Sequence, residues 1–231
     1  KAVILASLAY GFHVPMAAVS IEGIRGLAEQ DIEYALGLGY RIKLLAVIKH
    51  TEGQIEVRVH PTLVPLDHML ASVAGVFNAV VVEGDIVGQT VFYGRGAGRL
   101  PTASAVIGDL VDLAQNLAHK AIGRVPVLPA PAGPLRPLGE IEARYYLRLS
   151  LLDRPGVFGQ IATALGQHGV SIASVFQQEV HQAGKHVAVV VVTHLAREKD
   201  LQAALAAIAA LGCVKAPAVR LRIEDLGVGR T

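Results

Sequence analysis

The chain has 231 residues, of which 52% are hydrophobic and 17% charged, so its composition excludes an intrinsically disordered protein. No apolar run approaches the roughly 20 residues of a membrane helix, and a net charge of +2 without a Lys/Arg cluster argues against nucleic-acid binding. The single cysteine, Cys213, excludes an internal disulfide framework and a cysteine-based zinc cluster.

The chain opens with an apolar segment, "KAVILASLAYGF", whose pattern predicts a helix over residues 1–12. A helix start usually carries Ser, Thr, Asp or Asn, and none of these residues precedes this helix. We therefore expect the protein to continue upstream of Lys1. No secretory segment opens the sequence, which predicts a cytoplasmic protein.

The first half alternates helical and extended patterns. Apolar residues at helical spacing predict a helix over residues 28–38, and strands follow over 40–50 and 53–63. A second strand pair follows over residues 78–94, with Gly84-Asp85 in its turn, and then a long helix over 101–122. This order indicates an α+β domain with a mixed sheet, because it lacks the strict alternation of a doubly wound parallel sheet.

The segment over residues 123–142, "GRVPVLPAPAGPLRPLGEIE", is rich in Pro and Gly and predicts a linker. It separates a domain over residues 1–122 from a second domain over residues 143–226. The second domain has strands, helices and turns in the order βαββαβ, which is the ferredoxin-like arrangement.

A glycine-rich segment over residues 93–110 follows a strand and opens a helix. Its glycines permit close backbone approach, and the N–H groups of the following helix end favour an anionic ligand group. The spacing Gly-x-Gly-x-Gly is not the dinucleotide fingerprint, so a purely structural turn remains an equal alternative on spacing alone.

The same segment resembles the C-terminal signature of the homoserine dehydrogenases. The matching residues are Gly94, Gly96, Ala97, Gly98, Pro101, Thr102 and Ala103, and the match continues to Asp109. Two further blocks match in order: "IEGIRGLAEQDIEYALGLGYRIKLLA" and the opening helix. The resemblance implies that this loop contacts the nicotinamide cofactor, NAD or NADP, with a backbone contact from Gly98 and with Gly96 and Ala97 beside it.

The resemblance also assigns a catalytic lysine to Lys1, at the head of the opening helix. The implied reaction is NAD(P)-dependent reversible reduction of L-aspartate 4-semialdehyde to L-homoserine, in the biosynthesis of threonine, methionine and isoleucine. From the bare sequence, Lys1 is an ordinary exposed lysine. The family's substrate-binding carboxylates and nucleotide-binding domain lie upstream of the matching position, so we expect the chain alone to have negligible activity.

The second domain resembles an ACT domain, a small module that binds amino acids and commonly pairs with a second copy. The resemblance is carried by "LLDRPGVFGQIATALGQHGVSIASV". The implied effector contacts are Asp153, Arg154, Gly156, Val157, Gly169, Val170, Ser171 and Ile172. L-threonine is the effector that the resemblance implies, in a homodimer or homotetramer, although Ser171 stands where many relatives carry Asn.

The remaining polar residues predict less. Glu22 can orient a ligand or cap the next helix, Asp31 and Glu33 are typical helix-start acids, and Lys43 and Lys49 alternate with apolar residues as solvent-facing lysines do. His13, His60 and His68 have no metal-ligand spacing, so we expect no metal. Two alternatives to the enzyme stay open, a non-catalytic amino-acid sensor and an assembly module built on the ACT domain.

Overall fold

The computed structural model describes residues 1–121, 133–177, 186–224 and 226. The chain forms two compact units, one combining Lys1–Leu66 with Pro129–Thr231 and the other spanning Asp67–Leu128. Within the described residues, no helix is long and apolar enough to cross a membrane.

The helices and strands of the first unit come from both ends of the chain. From the N-terminal end they are α1 (Ala2–Tyr10), β1 (Ser20–Ile21), α2 (Glu29–Gly37), β2 (Tyr40–Thr51) and β3 (Gln54–Pro65). The second unit contributes α3 (Met69–Ser72), β4 (Phe77–Gly84), β5 (Gly88–Arg95) and α4 (Arg99–Ala118). The first unit then continues with β6 (Glu142–Leu152), α5 (Val157–Gln167), β7 (Ile172–Gln177), β8 (His186–Thr193), β9 (Ala196–Arg197), α6 (Glu198–Ala209) and β10 (Val214–Ile223). Short 3-10 turns occur at Met16–Ala18 and Leu138–Glu140.

One sheet runs through the first unit. Its described strands have the order β1-β3-β10-β6-β8-β7, with β2 on the other edge of β3. The four strands β10, β6, β8 and β7 are antiparallel to their neighbours, which is the ferredoxin-like order. Strand β10 also pairs in parallel with β3, where Arg222 lies opposite Thr62 and Ile223 opposite Leu63. The two halves of the chain therefore share one sheet.

Helices cover both faces of the ferredoxin-like sheet. Because neighbouring residues of a strand point to opposite faces, β6 buries Leu147, Leu149 and Leu151 in one apolar cluster with α5 and α6. The opposite face packs against Tyr34 and Ala35 of α2. A helix from the N-terminal part thus completes the core of the C-terminal part.

Helix α1 packs on β3 through small residues. Ala2 and Ala6 are buried in a cluster with Ile55 and Val57. The Ser7 hydroxyl accepts a hydrogen bond from the backbone N–H of Val14 at 3.0 Å, which fastens the chain after the helix. These contacts fix the position of the first residue of the chain, at the head of this helix.

The second unit contains the antiparallel hairpin β4–β5 and the helix α4. Phe77 and Tyr93 stack with ring centroids 5.0 Å apart, and the Arg95 guanidinium lies 5.5 Å from the Phe77 centroid. Each of these contacts lies where the hairpin meets the glycine-rich segment. The end of the hairpin is therefore held by ring stacking across its two strands.

The α+β fold with a ferredoxin-like second part is confirmed, and every helix and strand predicted from the sequence occurs within the described residues. Strands β1 and β9, helix α3 and both 3-10 turns were not predicted. The predictions for residues 123–132 of the linker and for residues 178–185 lie outside the described residues. The domain boundaries at residues 122 and 143 stay predictions.

Candidate functional site

Lys1 lies at the N-terminal end of α1. It occupies the N-cap position, its side chain is exposed, and its carbonyl oxygen accepts the first helical hydrogen bond from the Leu5 N–H at 2.9 Å. Lys1 therefore stands at the end of the helix where backbone N–H groups are unpaired and the helix dipole is positive. This placement suits a cation that stabilises negative charge on a bound oxygen.

The glycine-rich loop connects β5 to α4. Gly94 is within β5, Gly96 and Ala97 form the connection, and Gly98 is the N-cap of α4. Gly98 has φ 130° and ψ 150°, a conformation that essentially only glycine adopts. Because Pro101 has no N–H, the backbone donors of the first helical turn are those of Arg99 and Leu100.

Gly96 is held in place by the first strand of the hairpin. Its N–H donates to the Val76 carbonyl at 3.2 Å. The Asn78 side chain lies directly over its α-carbon, so that a Cβ at this position would come within 1.9 Å of Asn78 Nδ2. The glycine is therefore required by a close side-chain approach, and Asn78 helps to shape the loop.

Lys1 belongs to the first compact unit, and the loop over Gly94–Gly98 belongs to the second. That the two meet at one substrate stays a prediction. Within the described residues, no group of three His, Cys, Asp or Glu side chains can hold a metal ion.

The predicted effector residues of the first ACT turn line a small concavity. Asp153, Arg154 and Val157 contribute to it, together with residues of the neighbouring strands. The other lining residues are Leu151, Leu152, Phe158, Gln177, Val187 and Val189. Its volume is about 50 Å³, and it offers one carboxylate and one guanidinium group beside aliphatic side chains. Gly156 has φ 82° and starts α5, so it shapes this turn without lining the concavity.

The second block of predicted effector residues lies at the other end of the strands. Ile172 pairs with Thr193, the last residue of β8, whereas Leu152 beside the concavity pairs with His186, the first residue. Val170 is buried in the core, and the Ser171 carbonyl accepts a hydrogen bond from the N–H of His194 at 2.9 Å. Gly169, with φ 73°, forms the turn after α5. Within one copy of the chain, the two blocks do not form one pocket.

Glu22 does not cap α2. Its Oε1 accepts hydrogen bonds from Arg222 Nη1 at 2.6 Å and from Arg220 Nη2 at 3.2 Å, both on β10. The same two arginines bind Glu198, which is fully buried and also accepts the hydroxyl of Tyr145 at 2.8 Å. Burial raises the pKa of Glu22 and Glu198, but Arg222 and Arg220 outweigh it, and both carboxyls have a lowered pKa.

Asp31 has a larger role than a helix-start acid. Its Oδ2 accepts the backbone N–H of Ala28 at 3.1 Å, as a capping residue does. Its carboxylate is also fully buried and binds the side chains of Arg148 and Tyr146 on β6. Sequence reasoning missed this ion pair because its partner is 117 residues away.

A second buried ion cluster joins β2 and β3 to Glu224, the residue after β10. Glu224 accepts from Arg58 Nη2 and from Lys49 Nζ, each at 2.5 Å. Lys49, predicted to face solvent, is 43% exposed but is tied to Glu224 through its ammonium group. The neighbouring His60 is buried, which lowers its pKa to about 4.

Comparison with known proteins finds a family match in each half of the chain. Residues 1–111 match the homoserine dehydrogenase family, and residues 145–213 match the ACT domain family. Homoserine dehydrogenases from Pseudomonas aeruginosa and Neisseria gonorrhoeae are 44% and 46% identical to this chain, and each match covers 98% of the chain and 53% of the relative.

A solved structure of a homoserine dehydrogenase from Thiobacillus denitrificans superposes with a TM-score of 0.88 at 41% identity. The superposition covers 98% of this chain and 52% of the Thiobacillus denitrificans chain. A structure of the enzyme from S. aureus superposes with a TM-score of 0.65 at 27% identity. The chain thus spans about half the length of the relatives that it matches.

Proposed function

Because residues 1–111 match the homoserine dehydrogenase family and residues 145–213 match the ACT domain family, we propose that the chain forms the catalytic and regulatory part of an enzyme that interconverts L-aspartate 4-semialdehyde and L-homoserine with NAD(P). The enzyme would serve the biosynthesis of threonine, methionine and isoleucine in the cytoplasm. The observation that carries this proposal is the glycine loop at the start of α4, whose Gly98 conformation excludes a side chain. The family match over residues 1–111 supports it.

Lys1 is the proposed catalytic residue. A bound NAD(P) would supply or accept the hydride, and negative charge would develop on the carbonyl oxygen of the aldehyde during its reduction. An ammonium group within hydrogen-bond reach stabilises that charge and delivers the proton that completes the alcohol. The exposed position of Lys1 at the positive end of α1 supports this role, because its side chain and the helix end both favour an oxyanion.

The glycine loop is the proposed cofactor contact. Gly96, Ala97 and Gly98 present backbone to the surface at the connection into α4, and the helix end offers N–H donors. A flat nicotinamide amide or a phosphate oxygen fits such a surface. The loop thus supplies part of a cofactor site, and we expect the isolated 231-residue chain to give negligible turnover for want of the rest.

The ACT domain is the proposed regulatory part, with L-threonine as effector. Asp153 and Arg154 beside the concavity match the two charges of an amino acid. The block Gly169–Ile172 lies at the other end of β7, so it would contact the effector only from a second copy of the chain. We therefore propose a homodimer or homotetramer in which one copy supplies residues 153–157 and another supplies residues 169–172.

The catalytic proposal is tested by replacing Lys1 in the full-length gene product. We expect Lys1→Met to lower kcat for NADPH-dependent reduction of the semialdehyde by about 10²- to 10⁴-fold, with little change in KM. The matched control is Lys215→Met, which removes an exposed lysine of β10. A Lys1→Met enzyme with more than a third of the unmodified kcat would contradict the assignment.

The regulatory proposal is tested by titrating L-threonine against the thermal unfolding of the protein. A bound effector raises the melting temperature as its concentration exceeds Kd. Gly156→Ala places a side chain at φ 82° and should weaken this effect. No stabilisation of the unmodified protein at millimolar L-threonine would favour a pure assembly role for the ACT domain.

A further inference from the structure

Helix α2 belongs to the range that matches homoserine dehydrogenase, yet it covers the sheet of the ACT domain. Tyr34 and Ala35 are buried against Tyr146, Val190 and Ile223 of that sheet. The opposite face of the same sheet carries α5 and the effector concavity. The dehydrogenase part and the proposed effector therefore contact the two faces of one layer of strands.

A buried ion pair fastens α2 to the central ACT strand. Arg148 Nε donates to Asp31 Oδ1 at 2.6 Å and its Nη2 donates to Oδ2 at 3.0 Å, in a bidentate pair. The Tyr146 hydroxyl donates to the same Oδ1 at 3.0 Å. Asp31 is fully buried, and the Arg148 side chain is 18% exposed. A planar, two-point contact of this kind fixes orientation as well as distance.

Three strands carry residues for both sites, and on β7 and β8 these residues are adjacent. On β7, Gln177 lines the concavity and Phe176 packs edge-on against Tyr34, with ring centroids 5.9 Å apart. On β8, Val189 lines the concavity and its neighbour Val190 is in the cluster under α2. On β6, Leu151 and Leu152 line the concavity, three and four residues beyond Arg148. A shift of any of these strands on the effector side must move its α2 side as well, because the interior is close-packed.

Helix α2 is in turn connected to the segment that carries Lys1. It leads through a short turn into β2, and Ile48 of β2 packs in the cluster that buries Ala2 and Ala6 of α1. A displacement of α2 therefore acts on the strands that support the head of α1. Each step is a packed contact within the first compact unit.

We propose that the Asp31–Arg148–Tyr146 contact transmits effector occupancy from the ACT domain to the dehydrogenase part, with Arg148 and Asp31 as positioning residues. This inference rests on the proposed function, and it goes further by naming the contact through which regulation passes. Through this contact, helix α2 moves together with the ACT strands. Without it, the effector would bind but the dehydrogenase part would not respond.

The experiment uses the full-length gene product and L-threonine as the probe. We compare the unmodified protein with Arg148→Lys, which keeps the charge but loses the two-point fork, and with Tyr146→Phe, which removes one hydrogen bond. Binding is measured by calorimetry, and inhibition as the ratio of kcat/KM without and with saturating L-threonine. The matched control is Lys199→Ala, which breaks an exposed ion pair between α6 and Glu140 before β6.

Allosteric coupling typically changes the affinity of the second site by about 5- to 150-fold, and we expect a kcat/KM ratio of this order for the unmodified protein. We expect it to fall toward 1 in Arg148→Lys and partway in Tyr146→Phe, while calorimetry still detects L-threonine binding. Lys199→Ala should keep the unmodified ratio. The double variant Arg148→Lys/Asp31→Asn should show no more loss than Arg148→Lys alone, because both changes break one contact.

Three results would overturn the inference. If L-threonine inhibits Arg148→Lys as strongly as the unmodified protein, effector occupancy is transmitted through a different contact. Loss of binding together with inhibition shows that the contact shapes the pocket rather than transmits its state. Failure of the unmodified protein to bind L-threonine refutes the effector proposal itself, and the inference falls with it.

Discussion

Buried His60 predicts that the protein loses stability in mild acid. The ring lies on β3 with 1% exposure, and its Nδ1 is 3.1 Å from the Pro61 carbonyl. Burial, and then the positive charges of Arg222 and Arg58, lower the pKa of His60 from 6.5 to about 4. The folded protein therefore holds this ring neutral at pH values where the unfolded chain protonates it.

The size of the effect follows from this difference in pKa. Above pH 6.5 the ring is neutral in both states, so it does not affect folding; as the pH falls toward 4, the unfolded state binds the extra proton and stability falls. The whole shift corresponds to about 3 kcal/mol, of which about 2 kcal/mol is lost by pH 5. The carboxyls of Glu22, Asp31 and Glu198, whose pKa values are also lowered, lose their stabilisation only at more acidic pH.

The assay is urea unfolding at pH 7.5 and pH 5.0. Between pH 7.5 and pH 5.0, we expect the free energy of unfolding of His60→Gln to fall by about 2 kcal/mol less than that of the unmodified chain. His13→Gln is the control, because His13 is exposed in the same compact unit. Equal pH dependence of His60→Gln and the unmodified chain would refute the argument, whatever the absolute stability of the variant.

Two substitutions test other contacts. Gly96→Ala would place a Cβ 1.9 Å from Asn78 Nδ2 and displace the loop. We therefore expect the KM for NADPH to rise about tenfold or more, and amide exchange at residues 96–98 to become faster. The control is Gly108→Ala on α4, where a Cβ meets open space. Glu198→Gln leaves the charge of Arg222 without its buried partner. We expect the free energy of unfolding, measured by urea unfolding, to fall by about 3 kcal/mol. A loss below about 1 kcal/mol would contradict the buried network.

Local patterns were sufficient to predict the longer helices and strands. The alternating residues of β2 and β3 around Thr51-Glu52-Gly53 predicted a hairpin, and the structure pairs Thr51 with Gln54 at its end. Helix α2 was predicted because its apolar positions repeat at helical spacing after an acidic first turn. Such signals act over a few residues, so they do not depend on how the chain is arranged in space.

The sequence did not predict the pairing of β3 with β10 or the partners of Asp31. Both depend on residues far apart in the chain, and neither has a local signal. The alternation of Glu56, Arg58 and His60 with apolar residues is typical of a half-exposed strand, yet these three side chains are buried. Arg58 is buried because Glu224, the residue after β10, and Glu56 on its own strand supply the partners that water would otherwise provide, and the His60 ring contacts the Thr62 hydroxyl.

The buried ion clusters explain how the ACT domain keeps its place on the dehydrogenase part. Strands β3 and β10 share only two paired positions, which by themselves define the register weakly. A slip by one residue would move Arg222 and Glu224 into the apolar cluster under α2 and bring Ile223 to the charged side. Each misplaced charge would be buried without a partner, at several kcal/mol. Since a buried ion pair adds little strength over an apolar pair, we infer that the clusters select this one register, and with it the contact between α2 and the ACT sheet.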